Sequence, residues 1–260
     1  SKKESELSER FIEEGYIITK VENISMLNAI QEFVSRCAAS HLNQELNEPV
    51  DFLNSAHRFL KIEQLNALRL HVIEAVNSED WFRAGYFNLA QNLLETIVGN
   101  ELVMQAKVGL SIQLPQDDSS LLPVHADVWS GDSPFEVVVW LPLVDCFGTK
   151  TMFLLPPGPT RDLHARFKEF EHDTSEHIYK SIESQLSWIK IDYGEVLIFN
   201  QNLPHGNRIN DEPESRWSMN CRFKSVFSPY RDKKLGEFFK PITLRAASRI
   251  GLKYQYPEIR

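Results

Sequence analysis

The amino-acid sequence predicts a mainly β domain, an antiparallel barrel or sandwich, with a layer of helices at its N-terminal end. Apolar residues recur every three or four positions through most of the first hundred residues, which is the period of amphipathic helices. After Gly99 they alternate with polar residues in short runs separated by Gly and Pro, as in chains that form several short strands. We therefore expect one domain over residues 1–260, in which 1–100 is mainly helical support.

Three helices are predicted in the first part. The first covers about 24–42, and one of its faces carries an apolar stripe formed by Leu27, Ile30, Val34, Cys37 and His41. The second covers about 62–76. The third begins after Ser78, a residue type that caps helices, and continues to Val98, where Gly99 provides a stop.

Short strands and one insertion make up the second part, 101–228. The predicted strands are LVMQAKVGLSIQL, FEVVVWLPL, TKTMFLLP, SWIKID, GEVLIFN and RWSMNCRFKSVF. A charged stretch at about 160–186 lacks the alternation of a strand and predicts a helical insertion on the surface. We interpret 229–260 as a C-terminal helical segment.

Composition excludes several classes of protein. The net charge of −8 and the lack of an arginine-rich tract are atypical of nucleic-acid-binding proteins, so no nucleic-acid partner is expected. The charged first residues lack the apolar core of a signal peptide, and no apolar run approaches membrane-spanning length. Three cysteines without metal-site spacing favour a reducing compartment, so we expect a cytoplasmic protein without a membrane partner.

The run VHADVW, residues 124–129, contains a candidate metal site. If this run is a strand, His125, Asp127 and Trp129 point to one side of it. His205, in the loop after GEVLIFN, is the candidate third ligand. Two histidines and one carboxylate form the facial triad that holds Fe(II) and leaves three coordination positions open.

A candidate co-substrate site follows in RWSMNCRF, where alternation places Arg216, Ser218, Asn220 and Arg222 on one strand face. A guanidinium matches the planar fork of a carboxylate, and a serine hydroxyl can add a donor. Arg216 and Ser218 therefore suit the distal carboxylate of 2-oxoglutarate. Arg222 is a second candidate for that carboxylate or for an anionic part of the substrate, and an ordinary ion pair is the alternative for Arg216.

Three further residues are candidates for the cavity. Gln113 and Lys107, both on the first predicted strand, can contact co-substrate or substrate, and a structural role is the alternative for each. Trp129 shares the predicted ligand face and can form a wall beside the substrate, although filling a barrel is the commoner role of a strand aromatic.

These motifs resemble those of the Fe(II)- and 2-oxoglutarate-dependent oxygenases, particularly the phytanoyl-CoA-dioxygenase-like branch. The resemblance is carried by HAD at 125–127, by HG at 205–206 and by RWS at 216–218. Phe11 with EGY at 14–16 resembles the opening segment of the branch.

The same branch has a strand pair "N-G … P-G-S-H", which the run from FG at 147–148 to LPPG at 155–158 resembles. Pro159-Thr160 replaces Ser-His there, and that histidine is not one of the three metal ligands. The block VHADVWSGDSPFEVVVWLPLVDC is similar to a bacterial group of these oxygenases found with surface-carbohydrate biosynthesis.

The resemblance covers Phe11 to about Phe227 and implies a double-stranded β-helix, a cupin-like jelly roll, flanked by helices. It implies Fe(II), 2-oxoglutarate as co-substrate and O2. It also implies a dioxygenase that hydroxylates a sugar, a sugar nucleotide or another small polar biosynthetic intermediate and releases succinate and CO2. Asp127 favours hydroxylation, because related halogenases carry a small residue in its place.

Two other functional classes use the same residues. A non-redox jelly-roll isomerase or hydrolase would employ His125 and His205 as acid and base, but it leaves RWS unexplained. A non-catalytic carbohydrate-binding jelly roll would stack sugar on Trp129 and Trp140. Within the oxygenase hypothesis the sequence leaves open the substrate, desaturation or epimerisation as the outcome, and the oligomeric state.

Overall fold

Helices dominate the N-terminal part of the chain, as the sequence predicts, in a computed structural model that describes residues 2–258. The six helices of this layer are α1 (Lys2–Glu14), α2 (Ile24–His41), α3 (Pro49–Ser55), α4 (Ile62–Ser78), α5 (Asp80–Asn88) and α6 (Gln91–Ile97). One strand, β1 (Tyr16–Lys20), lies between α1 and α2. The predicted helices at 24–42 and 62–76 are confirmed.

One detail of the helical prediction was wrong. The predicted third helix is two helices, α5 and α6. Glu22 accepts hydrogen bonds from the backbone N–H groups of Asn92 and Leu93 and so caps the N-terminus of α6. This cap comes from a distant part of the chain, which periodicity does not reveal. The stripe of α2 is buried at Leu27, Ile30 and Val34, Cys37 is half-buried, and His41 at its end is exposed.

Nine strands follow the helical layer. They are β2 (Leu102–Gln105), β3 (Gly109–Gln113), β4 (Val137–Pro142), β5 (Phe153–Leu154), β6 (Ser187–Trp188), β7 (Glu195–Asn200), β8 (His205–Gly206), β9 (Arg216–Ser225) and β10 (Phe239–Thr243). A large sheet has the order β1-β7-β4-β9-β2-β10, with β3 also paired to β9, and a small sheet has the order β6-β5-β8. The pairs within both sheets are antiparallel, as in a jelly roll.

The large sheet has two different faces. Val139 and Leu141 of β4 pack with the helical layer, whereas Val138 and Trp140 pack with Met152 and other side chains of the small-sheet side. On β9 the same alternation buries Trp217, Met219, Cys221 and Phe223 against the helices. The intervening residues of β9 therefore face the space between the two sheets.

Several predicted strands are shorter than expected. LVMQAKVGLSIQL is two strands, because residues 106–108 leave the ladder with β9 and Val108 exchanges hydrogen bonds with Asn77 of α4. TKTMFLLP and SWIKID contribute only β5 and β6. VHADVW is not a strand: His125 makes one bridge, and a 3-10 turn covers Asp127–Ser130.

Two surface segments complete the chain. The predicted insertion at 160–186 is helical and contains α7 (Pro157–Ala165) and α8 (Ser175–Ile182). The segment 229–260 is not simply helical, because β10 pairs with β2 before the short helix α9 (Ala246–Gly251), and residues 259 and 260 lie outside the described residues. From residue 2 to 258, no helix is both long and apolar enough to cross a membrane.

Substitution of Gly206 tests the tightest packing around β8. A Cβ atom there would lie 2.6 Å from the carbonyl oxygen of Leu122 and 2.9 Å from the ring of Phe153. We expect Gly206→Ala to lower the free energy of unfolding by about 1–3 kcal/mol, because overpacking would push the paired segments apart. Chemical denaturation measures this change.

Gly158→Ala is the matched control. A Cβ atom at Gly158 meets nothing within 4 Å, and Gly158 lies in α7, where alanine is the better helix former. This variant should leave the stability unchanged or raise it by up to about 1 kcal/mol. Equal losses of stability in the two variants would contradict the packing described at Gly206.

Candidate metal centre

The two histidines of the predicted triad are hydrogen-bonded partners. The N–H of His125 donates to the carbonyl of His205 over 3.0 Å, and the N–H of His205 donates to the carbonyl of His125 over 2.8 Å. On its other side β8 pairs with β5, where His205 lies opposite Leu154. The reciprocal backbone pair places the two imidazoles side by side, with ring centroids 4.3 Å apart.

Asp127 joins the histidines through a turn rather than through strand alternation. Its N–H donates to the carbonyl of Gln201 over 3.3 Å, at the start of the 3-10 turn. One carboxylate oxygen, Oδ1, lies 3.8 Å from Nε2 of His125. Potential ligand atoms of His125, Asp127 and His205 all lie within 4.8 Å of one another, which is suitable for one metal ion.

Backbone carbonyls orient both imidazoles. Nδ1 of His125 lies 2.8 Å from the carbonyl oxygen of Pro123, and Nδ1 of His205 lies 2.8 Å from that of Leu203. A carbonyl only accepts, so each Nδ1 carries the proton and each Nε2 keeps a lone pair. This is the usual arrangement of metal-binding histidines, whose second nitrogen donates to a fixed acceptor.

Burial keeps His205 neutral. Removal from water, together with the neighbouring His125, lowers the pKa of the His205 imidazole to about 4. At neutral pH this imidazole therefore has no proton to lose before it can bind a metal.

Arg222 holds the other oxygen of Asp127. Its Nη2 donates to Oδ2 over 2.8 Å and its Nε donates to the same oxygen over 3.2 Å. The Nε also lies 3.2 Å from Oε1 of Gln201. The sequence placed Arg222 among the co-substrate candidates, but its guanidinium is engaged by the carboxylate of the triad.

The triad opens into a cavity of about 190 Å³ between the two sheets. Its walls include four apolar side chains, Val138, Trp140, Met152 and Phe199. Arg216 lines the same cavity from β9, six residues away from Arg222 on the same strand face. The cavity thus contains the candidate metal ligands together with two arginines, Arg222 and Arg216.

Arg216 is a buried cation without an acidic partner. Its Nη1 donates to the carbonyl of Thr151 over 2.8 Å and its Nη2 to the hydroxyl of Ser111 over 2.9 Å. Burial lowers the pKa of the guanidinium to about 10, so it is charged at neutral pH. Among residues 2–258 no carboxylate pairs with it, and its Nε has no hydrogen-bond partner.

Two hydroxyls beside Arg216 are also without partners in the described chain, namely those of Thr151 and Ser218. Ser218 follows Arg216 on the same strand face, and the main chain of Thr151 bonds to the guanidinium. Neither hydroxyl lines the cavity, whereas Arg216 does, and the unpaired Nε of its buried guanidinium fits an anionic ligand with oxygen atoms. A carboxylate of 2-oxoglutarate has that chemistry.

Four predicted site residues lie outside the cavity lining, namely Ser218, Gln113, Lys107 and Trp129. The amide of Gln113 donates to the carbonyl of Arg208 over 2.5 Å, and Lys107 is exposed where the chain leaves the sheet. Trp129 packs on Phe167 and donates to His164, so it attaches the helical insertion to the barrel. Its predicted place on the ligand face depended on a strand that is absent from this part of the structure.

Sequence reasoning missed Ser111, Thr151 and Gln201. Ser111 had a usable signal, because it alternates with Gln113 on β3 and so faces the same side of the sheet. Thr151 and Gln201 lie outside the regular strands, and their contacts with the two arginines depend on tertiary structure.

The fold was compared with known proteins. No protein-family model matches the chain, and no curated protein is similar to it in sequence. Solved structures do match. HygX from Streptomyces hygroscopicus with nickel and 2-oxoglutarate bound is 12% identical with a TM-score of 0.53, over 88% of this chain and 89% of that chain.

Two other solved structures are similar over comparable lengths. EctD from S. alaskensis with bound Fe is 15% identical with a TM-score of 0.54, over 87% of this chain and 78% of its own. SnoN, a non-haem α-ketoglutarate-dependent epimerase from nogalamycin biosynthesis, is 15% identical with a TM-score of 0.51, over 88% and 85%. HygX was solved with bound nickel and EctD with bound iron, and this chain has a His–Asp–His group that could hold a metal ion. The chain therefore has the jelly-roll fold found in these non-haem enzymes.

Proposed function

We propose that the chain is an Fe(II)- and 2-oxoglutarate-dependent oxygenase. The observation that carries this proposal is that one cavity contains both the His125–Asp127–His205 triad and the unpaired, buried guanidinium of Arg216. When bound together, Fe(II) and 2-oxoglutarate supply an O2-dependent oxidation of the substrate, with succinate and CO2 as the other products. A triad on one face of the metal leaves coordination positions for the co-substrate.

Each group of the site has a proposed task. His125 and His205 hold the metal through Nε2, and Asp127 holds it through Oδ1, while Arg222 keeps Oδ2 engaged. The guanidinium of Arg216 binds the distal carboxylate of 2-oxoglutarate. The hydroxyls of Ser218 and Thr151 lie outside the cavity lining and are assigned no contact with the co-substrate. This assignment gives the two arginines different roles. Arg216 binds the co-substrate, whereas Arg222 positions the carboxylate of Asp127.

The proposed substrate is a sugar, a sugar nucleotide or another small polar biosynthetic intermediate, and the proposed reaction is its hydroxylation. Support comes from the similarity of the block 124–146 to bacterial oxygenases of surface-carbohydrate biosynthesis, within the phytanoyl-CoA-dioxygenase-like branch. Asp127 supports hydroxylation over halogenation, because the carboxylate occupies the position that a halide would need. Screening small polar metabolites for succinate release with the iron-loaded protein tests the substrate class. A product of changed configuration without added oxygen would instead indicate an epimerase.

The proposed location is the cytoplasm. Cys37, Cys146 and Cys221 are all free thiols, and burial raises the pKa of the latter two to about 12. A reducing compartment keeps the three thiols free and keeps the iron as Fe(II).

The two alternative functions have less support. An isomerase or hydrolase would use His125 and His205 but give no role to the buried charge of Arg216. A carbohydrate-binding module would need an exposed aromatic platform, yet Trp129 packs on Phe167 and Trp140 is buried.

Removal of the carboxylate ligand tests the metal site. Under anaerobic conditions, Fe(II) and 2-oxoglutarate should give the native protein a weak visible charge-transfer band. Asp127→Ala should abolish this band, because the triad loses its anionic ligand. Asp162→Ala, which changes an exposed carboxylate in α7, is the control and should keep the band. Absence of the band from the native protein would favour the non-redox alternatives.

Substitution of Arg216 tests the co-substrate site. We expect Arg216→Ala to raise the concentration of 2-oxoglutarate needed for half-maximal succinate release by about 10- to 100-fold, because a charge-assisted contact is lost. Arg216→Lys should recover part of that loss. Metal binding by Arg216→Ala, measured separately, shows whether the site is still folded. An unchanged requirement for 2-oxoglutarate would contradict the assignment of Arg216.

A further inference from the structure

A row of alternating charges leads into the metal centre from the segment that follows the jelly roll. Arg222 binds Asp127 on one side, and its Nε lies 3.7 Å from Oδ2 of Asp132 on the other. Lys233 donates to that same Oδ2 of Asp132. Along this row, positive and negative charges alternate in the order Lys233, Asp132, Arg222, Asp127 and then the proposed metal.

The two carboxylates compete for one guanidinium. Asp127 and Asp132 are each only 6% exposed, so water does little to screen either charge. The Nε of Arg222 points to both, but it is closer to Asp127, at 3.2 Å against 3.7 Å. An uncompensated charge on Asp132 would draw Arg222 away from Asp127, the proposed metal ligand.

Lys233 supplies that compensation. Its ammonium is the second cation on Asp132, and its side chain is held over the ring of Phe238 at 4.7 Å. The remaining buried acid nearby, Glu136, accepts a hydrogen bond from Gln201, so it is engaged by a neutral amide. Lys224, a buried lysine in this region, donates to the carbonyl of Pro229.

The segment that carries Lys233 is attached to the loop of the triad. The hydroxyl of Ser133 donates to the carbonyl of Pro229 over 2.7 Å. Asp232 lies against Gly131, a residue with a φ of +92° that ends the 3-10 turn of Asp127. These contacts hold residues 229–233 beside the turn that presents the carboxylate ligand.

We propose that Lys233 is a positioning residue for the metal centre: by neutralising Asp132, it keeps Arg222 on Asp127 and thereby fixes the ligand carboxylate. This proposal rests on the proposed function, since it assumes that the triad binds a metal. It extends the site beyond the jelly roll, to a residue outside the cavity lining.

Mn²⁺ is a suitable probe, because electron paramagnetic resonance directly measures the concentration of unbound Mn²⁺ in a solution of the protein. Lys233→Met retains an unbranched side chain of similar size but removes its charge. We expect it to raise the dissociation constant for Mn²⁺ by about 10-fold, the lower end of the effect of residues that orient metal ligands. Lys234→Met, an exposed neighbour, is the control and should change the constant by less than about twofold.

The Asp132→Asn background separates positioning from general structural support. Without the competing charge, Lys233→Met should alter Mn²⁺ affinity by less than about twofold, because the two residues act through one interaction. The same 10-fold loss in that background, or native affinity in Lys233→Met alone, would overturn the role of Lys233. If the native protein itself fails to bind Mn²⁺, the proposed function is overturned together with this inference.

Discussion

The reciprocal backbone pair between His125 and His205 is the contact on which the rest of the site depends. Two segments eighty residues apart exchange both of their hydrogen bonds at these two residues, so the ligands cannot separate without breaking the pair. β8 contains only two residues, His205 and Gly206, and β5 holds it from the opposite side. The absence of a side chain at Gly206 allows the segments to approach so closely.

Charge organises the cavity around that pair. Two arginines lie on one face of β9, and their surroundings give them different tasks. Arg222 contacts two acids and an amide, whereas the partners of Arg216 among residues 2–258 are a carbonyl and a hydroxyl. A buried cation without an acid is costly, so its persistence in the fold is best explained by an anionic ligand. This difference in pairing is the physical basis for assigning 2-oxoglutarate to Arg216.

Much of this arrangement follows from local sequence. The triad residues, the β9 face and the helical layer were predictable, because strand and helix periods are local properties. The prediction that HAD lies on a strand was nevertheless wrong, since Asp127 lies in a 3-10 turn. The engagement of Arg222 by Asp127 and of Trp129 by His164 was not predictable, because each joins segments that only the folded chain brings together.

His125, Asp127 and His205 are proposed to bind one metal ion together. Anomalous scattering from crystals soaked in Mn²⁺ locates such an ion without reference to activity. We expect a single strong peak within bonding distance of both Nε2 atoms and of Oδ1 of Asp127. A peak elsewhere in the cavity, or a metal held by only one member of the triad, would contradict it.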